Sequence, residues 1–113
     1  MGKACEIAKK EMKNDEIHLK KLYKKMLIKV KEIPYAWLNG DENQRFWGNL
    51  NLTFKYADGE KLIMALKKFA ISASSACSSE SFDPSYVLKA IQLSDEDAFC
   101  SLRIGIGRFT TEA

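Results

Sequence analysis

Apolar side chains at Ala4, Ala8, Met12, Leu19, Leu22, Met26, Val30 and Ile33 recur at spacings of three, four or a near multiple. That single stripe predicts one helix from Gly2 to about Ile33, with Pro34 unable to continue it. At 1.5 Å per residue such a helix would be about 45 Å long, more than a core of this size covers. Part of it is expected to project or to pack on something outside the domain. Tyr35 through Asn39-Gly40-Asp41 reads as a short strand ending in a tight turn. Leu50, Leu52 and Phe54 then alternate with Asn49, Asn51 and Thr53, the pattern of a strand with one wet face. Asp58 is placed to cap a helix from about Gly59 to Phe69, with Leu62, Ile63, Leu66 and Phe69 on its inner side. Residues 70–73 are strand-like. Asp83-Pro84 signals a helix over Ser85 to Gln92, and Ser94 caps a short turn carrying Asp95, Glu96 and Asp97 at its positive end. Ser101 to Ile106 alternates as a further strand, and Thr110-Thr111-Glu112 resembles the cap and first turn of another helix. The expected architecture is α+β: a small antiparallel-type sheet with helices on one face, residues 1–33 forming a long helix and 34–113 a small domain.

With 113 residues, 46% of them hydrophobic and 29% charged, the chain has the profile of one globular domain with a modest core. Its longest purely apolar run, Leu62 to Leu66, falls far short of the ~20 residues that span a bilayer, and no secretory signal region opens the sequence. The expectation is a cytoplasmic protein without a membrane partner. The net charge of +3 conceals an asymmetry. Residues 1–33 hold ten lysines against five acids, so +5, and the remaining eight basic and ten acidic residues give −2. A basic helix raises nucleic-acid binding, but only Tyr23 is interleaved with the lysines and no recognition motif follows. A solvated lysine face is the better reading, and no nucleic-acid partner is expected.

The candidate chemistry centres on Cys77, set among small residues in Ser72-Ala73-Ser74-Ser75-Ala76-Cys77-Ser78-Ser79. Small neighbours leave a thiol accessible, yet only a thiolate is nucleophilic and no charge flanks this one. The residues alone leave open an inert surface cysteine or a functional one. Three cysteines without CxxC or Cys/His spacing argue for a reducing compartment and against a disulfide framework or a metal site. His18 is the sole histidine and reads as part of a helix surface, which disfavours the usual Ser/His/Asp and Cys/His constellations.

Several blocks in fixed order closely resemble the small domain of NifS/IscS-type cysteine desulfurases. They are Ala76-Cys77-Ser78-Ser79, Pro84-Ser85-Tyr86-Val87-Leu88-Lys89-Ala90, Gly59-Glu60-Lys61-Leu62-Ile63-Met64-Ala65-Leu66, Leu93-Ser94-Asp95-Glu96, and Ser101 through Thr111. Leu38-Asn39-Gly40-Asp41 and Asn49-Leu50-Asn51-Leu52-Thr53-Phe54 fall in the matching order upstream. The resemblance implies the class V aminotransferase fold, here its small C-terminal domain, and a homodimeric enzyme using pyridoxal phosphate (PLP). Such an enzyme converts L-cysteine to L-alanine and leaves sulfur as a cysteine persulfide for iron–sulfur scaffold or tRNA-thiolation proteins. By that likeness Cys77 is the persulfide-carrying position and Arg103 the arginine that binds the substrate carboxylate, a task suited to a bidentate guanidinium on a strand.

Two departures touch these positions. Ala73 and Ser74 stand where the family has serine and glycine, and Phe99-Cys100 stands where it has histidine and serine. The family's Schiff-base lysine and the residues that hold its cofactor ring belong to the large domain, which this sequence does not contain. A lysine on a hydrated helix keeps a pKa near 10.4, a poor Schiff-base nucleophile at neutral pH. The expectation is therefore a desulfurase-like small domain, truncated at both ends, that binds no PLP and has no desulfurase activity alone. A split enzyme is the alternative, with Cys77 and Arg103 supplied in trans to a large-domain partner. A PLP-independent sulfur carrier or interaction module is another. The uncovered apolar stripe of the first helix leads to an expectation of marginal stability or of a homodimer formed through it.

Overall fold

The computed structural model describes residues 1–69, 71–73 and 84–112. Helix α1 runs Gly2–Lys31, and strands β1 (Ala36–Leu38) and β2 (Asn49–Phe54) follow. Next come α2 (Gly59–Ala65), β3 (Ile71–Ala73), α3 (Tyr86–Ala90), α4 (Asp95–Phe99) and β4 (Ser101–Gly105). The four strands form one antiparallel sheet in the order β1-β2-β4-β3, so the last strand inserts between β2 and β3. The α+β architecture with a small antiparallel sheet is as the hydrophobic pattern predicts. No helix among the described residues is long and apolar enough to cross a membrane.

The core lies where the second half of α1 crosses the sheet. Leu19, Leu22, Tyr23, Leu27 and Val30 pack against Leu50, Leu52 and Ile106, with Leu38, Phe54 and Ile104 at the margin. Strand alternation assigns Leu50, Leu52 and Ile104 to one sheet face and their neighbours to the other. The first half of α1 leaves this core: its stripe residues Ala4, Ala8 and Met12 are all exposed, Met12 at 62%. Part of the helix does project, as its length requires. Ile33 belongs to the predicted stripe but is exposed, because the helix closes at Glu32 before reaching it. Gly48 fits where β2 enters the sheet because a side chain there would meet the Ile106 carbonyl oxygen at 2.8 Å. The Asp58 carboxylate accepts from the Lys61 amide at 3.2 Å and Ser94 Oγ from the Asp97 amide at 3.1 Å, so both caps form as read. Helix α3 begins at Tyr86 after Ser85, which makes no side-chain cap bond, and Asp83 lies outside the described residues.

Residues 110–112 do not start a helix. The tail is instead tied to α1. Arg108 pairs with Asp15, His18 Nε2 lies 2.9 Å from the Thr110 carbonyl oxygen, and Lys25 Nζ donates to Glu112 at 2.8 Å, with Lys21 on the other carboxylate oxygen. The hydrogen bonds and charges of Lys21 and Lys25 pull the Glu112 carboxyl down to about 2. A carboxylate lowered by folding contributes above its unfolded pKa of about 4.3 and loses that contribution as pH falls toward 2. The tail is thus expected to leave α1 between about pH 4.5 and 2, and sooner in high salt because the pairs are exposed. A carboxyl-carbon NMR titration of Glu112 checks it: a midpoint near 2 is expected, and one near 4.3 would contradict the pairing.

Candidate functional site

The face of the sheet turned away from α1 is polar and partly closed. Asn39, Thr53 and Ser101 are all buried on it. Thr53 Oγ1 donates to Asn39 Oδ1 at 3.0 Å, and Asn39 Nδ2 reaches Thr53 Oγ1 at 2.9 Å and Asn51 Oδ1 at 2.6 Å. Ser101 Oγ donates to the Asp97 carbonyl of α4 at 2.7 Å, so that helix seals this end of the face. Buried hydroxyls and amides are costly unless paired, and here they satisfy one another.

Arg103 stands on the same face in β4, an interior strand, directly between Asn51 of β2 and Ser72 of β3. Its side chain is exposed and makes no hydrogen bond or ion pair among the described residues. This contrasts with Arg108, engaged by Asp15, and with Arg45, whose guanidinium donates to the carbonyls of Asn39, Asp41 and Asn49. Arg103 is thus a rigidly mounted cation with its fork open, on the strand where sequence reasoning put it. That Asn51 lies beside it was not read from sequence, because strand register decides which residues meet.

Cys77, and Ser74 with it, lies outside the described residues; β3 ends four positions earlier at Ala73. The two described cysteines are free. Cys5 is exposed on α1. Cys100 donates its thiol to the Ala57 carbonyl at 2.9 Å. Burial, reinforced by the Asp97 charge, raises its pKa, so it stays a thiol and packs rather than reacts. Phe99 beside it is half exposed, and its carbonyl sits so close to Gly59 that no side chain fits there. No three His, Cys, Asp or Glu side chains cluster to hold a metal among the described residues.

Two grooves stand out among the described residues. One, between the end of α1 and β1, includes Lys31, whose amine pairs with Glu42 at 3.0 Å. The other runs between the first half of α1, Phe46-Trp47 and residues 106–108, and its cations are the engaged Arg45 and Arg108. Neither offers a desolvated lysine amine or an uncommitted cation for a phosphate. The residues that line these two grooves therefore do not fit pyridoxal phosphate.

No protein-family model matches the chain. Among curated proteins it is 52% identical over 112 residues to a probable mitochondrial cysteine desulfurase of Schizosaccharomyces pombe, covering 99% of this chain and 22% of that one. It is 51% identical over 112 residues to the cysteine desulfurase IscS of Shewanella oneidensis, covering 99% and 28%. The chain thus spans about a quarter of the length of these relatives. In fold it superposes on a NifS-like protein with TM-score 0.76 at 20% identity, over 97% of this chain and 27% of the other. It also superposes on DndA of Streptomyces lividans with TM-score 0.66 at 28% identity, over 91% and 29%.

Proposed function

We propose, for a chain that belongs to the NifS/IscS-type cysteine desulfurase family, that these residues are the carboxylate-binding and sulfur-accepting part of such an enzyme. The observation that carries this reading is the open guanidinium of Arg103 on a central strand, on the face that α1 leaves free. A planar fork without a partner suits a carboxylate held by two parallel hydrogen bonds. Cys77, five residues along the chain from Ser72, accepts the sulfur as a persulfide and hands it to a sulfur-acceptor protein such as an iron–sulfur scaffold. PLP chemistry belongs to the part of the relatives' length that this sequence does not span, and residues 1–113 turn over no L-cysteine alone.

One observation favours a contribution in trans or within a homodimer. Ile7, Met12 and Ile17 on α1 and Phe46 beside the groove are exposed, a surface fitted to burial against further protein. The surroundings are a reducing compartment, cytoplasmic or mitochondrial, in which the thiols stay free. Incubation of the purified chain with PLP and L-cysteine tests the reading. No aldimine absorbance band and no alanine are expected. Either product overturns the assignment of the cofactor to residues outside this chain. Exchange of the outer sulfur of an added low-molecular-weight persulfide onto the Cys77 thiolate, with release of the donor's thiol, would favour an independent sulfur carrier.

A further inference from the structure

Asn51, Arg103 and Ser72 lie side by side across β2, β4 and β3. Directly opposed residues on one sheet face have Cβ atoms about 5 Å apart, within reach of one small ligand. We infer that Asn51 is a second donor in the carboxylate site of Arg103, its side-chain amide binding one oxygen of an amino-acid α-carboxylate whose other lone pairs face the guanidinium. The inference rests on the reading of Arg103 given above.

The buried network sets the amide's direction. Ser101 spends its proton on the Asp97 carbonyl at 2.7 Å, so its oxygen can only accept, and it does so from Asn39 Nδ2 at 3.3 Å. Thr53 donates to Asn39 Oδ1, which turns Asn39 Nδ2 toward Asn51 Oδ1 at 2.6 Å. With its oxygen thus occupied, Asn51 presents Nδ2 the other way, and that group has no acceptor among the described residues. Arg103 is equally unpartnered. Two sets of N–H donors, one charged and one neutral, therefore stand open next to each other, half-buried at Asn51 and exposed at Arg103. A carboxylate offers about four lone-pair sites, enough for a bidentate guanidinium and a third donor. An acid at position 51 would instead neutralise Arg103 and fill the site. Asparagine leaves the positive charge unspent, and the Asn39 bond fixes its rotamer in advance, so little ordering is lost on binding.

An NMR titration of the 15N-labelled chain tests this, following the Arg103 Nε–H and Asn51 Nδ2–H2 signals as L-alanine is added, with methylamine as the ligand lacking a carboxylate. Both signals are expected to move on one saturation curve with L-alanine and to stay still with methylamine. Asn51→Ala should weaken the Arg103 response about three- to tenfold. Asn51→Asp, which keeps the shape and size, should abolish it, and backbone dispersion reports folding of each variant. Movement of Arg103 with Asn51 unaffected overturns this inference and leaves the reading of Arg103 intact. Silence at both overturns the two together.

Discussion

Leu52→Ala is expected to remove about 2–5 kcal/mol of stability, the usual cost of emptying a fully enclosed leucine site. Leu52 is 1% exposed, sits in β2 opposite Leu38 on one side and Leu102 on the other, and lies beneath α1. Neighbours on both strands and on the helix hold the hole open, so collapse relieves little of it. Domains of this size have about 5–15 kcal/mol in total, so one such substitution takes a large share. Urea denaturation should show a lower midpoint at an unchanged slope. Ile17→Ala, at a side chain 71% exposed, is the control and should stay within about 0.5 kcal/mol. Equal effects from the two would contradict the placement of Leu52 in the core beneath α1.

That division of α1 was only half legible in the sequence. The apolar stripe gave the helix and its excess length, but Tyr23 and Leu27, both buried, fell outside it. Tyr23 stands among lysines and reads as surface, yet its ring packs edge-on against Trp47 and its hydroxyl donates to the Glu42 carbonyl at 2.9 Å. Neither partner is near it in the chain. Locally encoded features transferred well: the caps at Asp58 and Ser94 and the apolar side of β2 depend on residues a few positions apart. The polar side is not the wet face expected, because Thr53 and Ser101 are buried on it. The tail went the other way. Thr110-Thr111-Glu112 carries a helix-start signal, but Glu112 is held by Lys21 and Lys25, ion pairs that no local pattern announces.

The site divides similarly. The strand position of Arg103 was readable from its place in an alternating pattern. Its setting was not, because the buried Asn39–Thr53–Ser101 cluster joins residues 14, 48 and 62 positions apart. Only the pairing of β2 with both β1 and β4 brings them together. Cys77 was legible as a residue type in a run of small neighbours and as a family position, and its setting lies outside the described residues.

Arg103 and Cys77 carry the functional account, and one chimera examines both. In a bacterial desulfurase whose matching 112 residues are exchanged for this chain, the cofactor-loaded protein should convert L-cysteine to alanine and hold a persulfide. Arg103→Ala should raise KM for L-cysteine about tenfold or more, the loss of a charge-assisted bidentate contact. Cys77→Ser should leave PLP binding unchanged and remove the enzyme persulfide. A folded, cofactor-loaded chimera that still accumulates persulfide after Cys77→Ser would contradict the account.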